Sequence, residues 1–560
     1  MRKTAQPAIA REKAKWDVGL FFLLLLALAV MLLRKCRYGF GNIDEAFYLT
    51  IPLRLLQGDH LLLHEWHLSQ LSGFLLKPFL RLFLLFSGGT EGILLAFRRI
   101  YTCVQLLAAI PVFFLLRKES KPGALCGALL WCVYAPFSIM ALSYNSMGIL
   151  CVTLSMLLHF RCERAWGVVL SGFLFACAVL CCPFLILVWA AYALQMALRK
   201  LFRAGALPAP RKFWCFTLGA GLMAAIFLVS LFRGLSPRRL AEVLPLILHD
   251  PEHGFAPVYK FKVFVSSLLF CGKYGCCFFV GYCILTLVGA LSRKSPVNTL
   301  CVMGVFLLCV LHLLATIQVF HYFNHLMLPF SYAACACGLI RRDESQRPLF
   351  FGLFLPCLLY IPCLQLSSNQ GLFAMSSAAA AAMPASLVIM LRSLRGEELP
   401  GLRAAAAGCL ACLLLLQGGS ELYYRWDNVF WEGSVAEQTV LLREGPEAGL
   451  LVKPVKAALY EPHLEELRSL NSREKVLFLS ERTWYYLCGD WQNASFSAWL
   501  SGVNSNSVQK LLRYYAINED KLPDLIYADK EALPYIQPFI REYGFHVDRS
   551  TALGSILLRR

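Results

Sequence analysis

Charge is what this sequence has least of. Asp, Glu, Lys and Arg supply 16% of its 560 residues, where a soluble domain carries about a quarter. Apolar residues reach 58% and the mean hydropathy is +0.59, which excludes an ordinary water-soluble protein. A glycine-rich phosphate loop, a nucleophile elbow and internal repeats are also missing, and with them the classes those features mark. The 23 cysteines lie nearly all in apolar blocks, among them Cys181-Cys182, Cys276-Cys277, Cys335 and Cys337, and the polar C-terminal region holds only Cys488. Neither a disulfide framework nor a zinc cluster follows from that distribution.

What is abundant is long apolar runs. The first, 18–33, is followed by Arg34-Lys35 and not by a small-residue cleavage site, so it reads as a retained helix and not a signal peptide. With roughly 20 apolar residues per span, helices are expected at 18–33, 93–116, 123–142, 147–160, 166–181, 183–198, 213–232, 263–290, 298–319, 324–340, 348–366, 374–391 and 403–419. The run 71–86 carries Lys77-Pro78 and Arg81 and is read as lying in the interface. Basic clusters at Arg2 to Lys15, Arg117-Lys118, Arg161 to Arg164, Arg199 to Lys212, Arg293-Lys294, Arg341 to Arg347 and Arg392 to Arg403 fall in alternate loops. The positive-inside rule puts those loops in the cytoplasm, so the net charge of +18 reports topology and calls for no nucleic acid.

The fold expected is therefore an α-helical polytopic membrane protein of about 13 transmembrane helices with a soluble α/β domain at its C-terminal end. Residues 1–17 form a cytoplasmic N-terminus, 18–420 the membrane domain with a long first outer loop at 34–92, and 421–560 an extracytoplasmic domain. In that last region strand-like runs (Lys475 to Leu479, Asp524 to Ala528) alternate with helix-like ones (Ala457 to Leu470, Ser507 to Tyr515, Glu531 to Tyr543). The location implied is a cell membrane crossed many times, with the C-terminal domain outside.

The residues able to do chemistry gather in the first outer loop. Asp44 and Glu45 follow Gly39-Phe40-Gly41-Asn42-Ile43. Asn42 and Glu45 have capping-box spacing, which gives Glu45 a purely structural alternative. Neighbouring helix positions point about 100° apart, so a cap leaves Asp44 free to face a cavity as a general base. Cations surround the pair: Arg54, His60, His64, His67, Lys77 and Arg81, then Arg98-Arg99 just inside the next helix. Adjacent arginines inside a span are expensive unless paired or binding something, and snorkelling is the alternative for Arg81. Two other outer corners hold Tyr144-Asn145 and the i, i+4 pair His321 and His325; no third ligand accompanies them, so no metal site is read there. The loop with His249, Asp250, Glu252 and His253 reads as a solvated turn.

Asp44-Glu45 with Tyr48, Gln57-Gly58, Trp66, Lys77-Pro78 and an arginine opening the second helix resembles the GT-C class of integral-membrane glycosyltransferases. The closest group is the family-39-like one that includes protein O-mannosyltransferases and aminoarabinose lipid A transferases. The resemblance covers roughly residues 18–420. It implies a polyprenyl-phosphate sugar donor taken from the lipid side and a glycan, lipid or protein acceptor at the outer face. It makes Asp44 the base, Glu45 its partner, and Lys77 with Arg98 or Arg99 the donor-phosphate contacts. Tyr48, His64, Trp66, His67, Tyr144, Asn145, His321 and His325 are the substrate-cavity candidates. No cofactor is implied, and Tyr144-Asn145 stands where relatives often carry an acid, which weakens the case for a divalent metal. The alternative is a transporter or flippase of a lipid-linked sugar. It would need polar groups near the bilayer midplane and discontinuous helices in repeated halves, and the midplane is almost bare, with Gln105 and Lys273 the clearest exceptions.

Overall fold

In a computed structural model of the chain, the described residues are 8–41, 43–198, 210–248, 256–292, 294–316, 327–341, 343–368, 370–395, 399–429, 432–470, 474–500 and 503–559. Among them seven helices are long and apolar enough to cross a membrane: Trp16–Lys35, Ile93–Leu116, Pro210–Phe232, Ser295–Thr316, Arg347–Ser367, Leu372–Arg392 and Pro400–Asp427. Shorter apolar helices, Lys121–Val133, Ala165–Cys181, Pro183–Ala197, Gly275–Leu291 and Met327–Arg341, pack among them. Over its described residues every expected run falls on helix, but two are interrupted. The run 123–142 stops at Val133, because Pro136 disfavours helix in the residue before it and Phe137 and Ser138 then take positive φ (55° and 58°). The run 263–290 divides into Pro257–Leu269 and Gly275–Leu291, with Gly272 (φ 79°) and Tyr274 (φ 60°) turning the chain between them.

Four helices place the first loop. Helix α1 (Ala8–Lys35) ends at the loop, α2 (Asp44–Leu56) and α3 (Leu71–Ser87) make up most of it, and α4 (Ile93–Leu116) returns to the membrane. Helix α3 buries Leu76 and Leu80 and exposes Phe79, Leu82, Leu85 and Phe86, the one-sided pattern of a helix lying in an interface.

The C-terminal region folds as a five-stranded sheet with helices. Its strands are β1 (Lys475–Leu479), β2 (Gln492–Asn493), β3 (Leu525–Asp529), β4 (Phe545–Ser550) and β5 (Gly554–Arg559), in the order β2-β1-β3-β5-β4. β1 is parallel to β2 and β3, and β5 is antiparallel to β3 and β4. The central β3 is buried along its whole length, as expected of a strand covered on both faces. The last long helix runs to Asp427, past the composition change at 421, and it buries Glu421 and Arg425.

This domain is bonded directly onto the first loop. Arg54, 2% exposed, is the hub: its Nε donates to Asp59 (2.8 Å), Nη1 to Glu65 (2.7 Å), and Nη2 to the carbonyls of His64 (2.7 Å) and Ser495 (2.8 Å). Asp59 also pairs with Lys521 of the domain. Burial pushes the Asp59 carboxyl up, but Arg54 and Lys521 outweigh it and hold the group below its ordinary value. Around the hub, the Trp66 amide donates to Phe496 O (2.7 Å), Tyr514 OH to His64 O (3.1 Å) and Gln57 Nε2 to Trp491 O (3.0 Å). Replacing Arg54 by Met strands the buried Glu65 carboxylate and leaves Asp59 with Lys521 alone. It is expected to destabilise the protein by about 3–5 kcal/mol and to speed limited proteolysis between 421 and 560; an unchanged melting temperature and digestion pattern would refute the hub.

Candidate active site

Helix α2 begins at Asp44 without a side-chain cap; the residue before it, Ile43, offers none. Asn42 lies outside the described residues. The capping box read from Asn42 and Glu45 therefore lies partly outside them. Glu45 grips Arg98 of α4, with Nε 3.0 Å and Nη2 2.6 Å from Oε2. Arg98 Nη1 reaches the carbonyls of Cys36 (3.0 Å) and Tyr38 (3.1 Å). One buried guanidinium therefore ties the end of α1, the start of α2 and the body of α4 together.

Asp44 is left over. Its side chain makes no ion pair and bonds to no other residue among those described, and it faces a small cleft of about 20 Å³. Lys35, Glu45, Arg98, Ser138 and Asn428 also line that cleft. Burial, and secondarily the charge of Glu45, raise the Asp44 carboxyl to a pKa of about 6. Ser138 enters through the positive-φ turn at Phe137 and Ser138, a backbone conformation that side chains other than glycine's rarely adopt. Asn428 Nδ2 donates to Ser138 Oγ (3.3 Å) and closes that side.

Two of the tyrosines named from the sequence are brought to Asp44. Tyr48, one turn along α2, and Tyr144 lie edge to face with ring centroids 6.0 Å apart, and both are within electrostatic reach of the carboxylate. Asn145 hydrogen-bonds Tyr144. That helix starts at a capping box of Ser143 and Ser146.

The other residues named from the sequence are placed elsewhere or are not described. Trp66 is buried against Phe496 and Tyr514. His67 stacks on Trp499 (5.4 Å) and meets the edge of Phe47 (4.6 Å). His64 lies 3.7 Å from Asp59, and burial depresses its pKa to about 4, so it is neutral at neutral pH. All three serve the contact with the C-terminal domain. Lys77 is half-buried on α3 and Arg99 is exposed on α4; neither lines the cleft. His321 and His325, and the 249–253 loop, lie outside the described residues. No group of three or more His, Cys, Asp or Glu residues is positioned to hold a metal ion among the described residues.

Lys35 and Arg425 were missed from the sequence. Lys35 reads there as the flank of a span, and Arg425 as the start of a soluble tail. The legible signal was the spacing of Gln417, Glu421 and Arg425, four residues apart on one helix face at the end of an apolar run.

No family model matches the sequence, and no curated protein matches it. The solved structures it is similar to include the following three. Archaeal oligosaccharyltransferase AglB from Archaeoglobus fulgidus, in complex with an inhibitory peptide and a dolichol-phosphate, matches with a TM-score of 0.42 at 13% identity over 92% of this chain and 70% of that one. The oligosaccharyltransferase of the same organism tethered to an acceptor peptide gives 0.41 at 12%, over 97% and 74%. ArnT from Cupriavidus metallidurans bound to undecaprenyl phosphate gives 0.39 at 14%, over 97% and 98%. Likeness at this level assigns no role to any residue here.

The buried pair makes its own prediction. Glu45→Gln and Arg98→Met, each leaving one charge uncompensated, should destabilise the protein by about 3 kcal/mol or more, and the double variant by less than the sum. Additive effects in a thermal or denaturant double-mutant cycle would show that the pair does not anchor the loop.

Proposed function

We propose that the chain is a membrane glycosyltransferase that moves a sugar from a polyprenyl-phosphate-linked donor to an acceptor hydroxyl or amine at the outer face, with Asp44 as general base. The observation that carries the reading is an unpaired carboxylate of raised pKa facing a cleft walled by Lys35 and Arg98. In the step proposed, Asp44 takes the acceptor proton as the acceptor oxygen or nitrogen bonds to the anomeric carbon. The bond from that carbon to the phosphate oxygen breaks, and its electron pair leaves on the phosphate. Cations beside the cleft stabilise the charge that develops. A base is most useful when its pKa lies just below the working pH, and a value near 6 satisfies that while leaving the group mostly ionised at pH 7. The resemblance of the first loop to GT-C enzymes supports the donor class, and it alone brings Lys77 and Arg99 to the donor phosphate; Arg98 lines the cleft but is already bonded to Glu45.

Transport of a lipid-linked sugar is the second reading. It is favoured by the buried Gln417, Glu421 and Arg425 in the last long helix, since ionisable groups at membrane depth often mark a translocation path.

Wild type and Asp44→Asn, reconstituted in liposomes with radiolabelled polyprenyl-phosphate sugars, separate the two. Transfer or release of sugar by wild type, reduced at least about a hundredfold in Asp44→Asn, is the expected result. Movement of the lipid between leaflets with no turnover of any donor would hand the case to transport. The same assay run against pH should show the rate falling about tenfold per pH unit below 6, as Asp44 takes up a proton, and level above 7. A flat profile between pH 5 and 7 would remove Asp44 as the base.

A further inference from the structure

Two buried cations beside the cleft have nothing to hold. Lys35 is 2% exposed, and its Nζ has no hydrogen-bond partner; Arg425 is 1% exposed, and its Nε and Nη2 have none either. Lys35 lines the cleft, and Arg425 lies one helical turn before Asn428, which also lines it. Lys35 is within electrostatic reach of both Arg425 and Arg98, so basic groups are gathered there away from water.

The acids nearby do not neutralise them. Glu45 is committed to Arg98. Asp427 accepts from Ser434 Oγ (2.6 Å) and Tyr423 OH (3.3 Å). Glu421 accepts from Gln417 Nε2 (2.9 Å) and forms no ion pair among the described residues. Asp44 faces the same cleft unpaired. The ring of Tyr101 lies 5.7 Å from the Arg425 guanidinium, and Asp427 and Glu421 act on Lys35 and Arg425 only through space, with no ion pair to either among the described residues. A buried cation without a bonded counter-ion is costly. Two such groups side by side leave the cleft short of an anion.

We infer that Lys35 and Arg425 are the two arms of a phosphate-binding site, assembled at the Asp44 cleft from the first and the last long helix of the chain. The chemistry suits the ligand: a guanidinium presents a planar fork to phosphate oxygens, and an ammonium adds a point charge. Placing the phosphate there frees Arg98 to be a positioning residue that holds Glu45 and the loop carbonyls. The inference rests on the transferase reading for the lipid carried by the phosphate, not for the anion site itself.

The test measures binding to the full-length protein in nanodiscs, comparing a polyprenyl phosphate, the uncharged polyprenol and inorganic phosphate. Wild type and Asp44→Asn should bind the polyprenyl phosphate and not the alcohol. Lys35→Met and Arg425→Met should weaken binding roughly tenfold or more while raising the melting temperature, because each removes an unpartnered buried charge. Loss of binding with a lowered melting temperature in both variants would make these residues structural and overturn the inference, as would equal affinity for phosphate and alcohol or unchanged affinity in both variants. Inorganic phosphate binding as tightly as the lipid, with the same dependence on Lys35 and Arg425, supports the anion site and assigns it to a soluble phosphate. If no donor is ever turned over but this binding pattern holds, the site stands and the transferase reading falls.

Discussion

The arrangement of the cleft depends on the ion pair between Arg98 and Glu45. A guanidinium inside a helix at the edge of the membrane domain is tolerable only when its donors are used. Here they are used by one carboxylate and two backbone carbonyls from the end of α1. The pair fixes where α1 stops, where α2 starts, and which acid of the Asp44-Glu45 pair is spent. Because Glu45 is consumed, Asp44 is the carboxylate available to do something else. Its acidity is set by burial first and by its spent neighbour second.

Arg54 has the corresponding role at the far end of α2. It collects Asp59 and Glu65 from its own loop and a carbonyl from the C-terminal domain, and Lys521 enters from that domain onto Asp59. The division of labour among the first-loop cations is therefore clear. Arg54 and Arg98 are internal fasteners, Lys77 and Arg99 stand apart from the cleft, and Lys35 and Arg425 are the buried cations with no ion pair among the described residues. The ends of the first and last long helices meet α2 and α4 around the cleft.

Much of this was legible in the amino-acid sequence. Apolar period and length located the helices, and the strands Lys475–Leu479 and Leu525–Asp529 lie within one residue of the runs that announced them. Asp44 stood out because two adjacent acids cannot both cap one helix. What could not be read is pairing across long sequence distances. Nothing local says that Glu45 will bind Arg98, or that His64, Trp66 and His67 belong to a domain contact with residues 491–521. Lys35 was hidden by a rule that works: a basic residue after an apolar run reads as a membrane flank, and only the tertiary structure turns it inward. The breaks at Phe137–Ser138 and Gly272–Tyr274 escaped because apolar runs continue through them, and backbone conformation there is decided by neighbours.

The bond from Arg54 to Ser495 spans 441 residues of chain. On a ribosome feeding a membrane from the N-terminal end, the loop of residues 34–92 emerges early and then waits. Arg54 can meet Asp59 and Glu65 at once, but Ser495 and Lys521 arrive only when nearly the whole polypeptide has been made. The cleft is thus among the last regions of the molecule to mature, and truncation anywhere before residue 495 leaves an inserted helical domain with an unfinished loop.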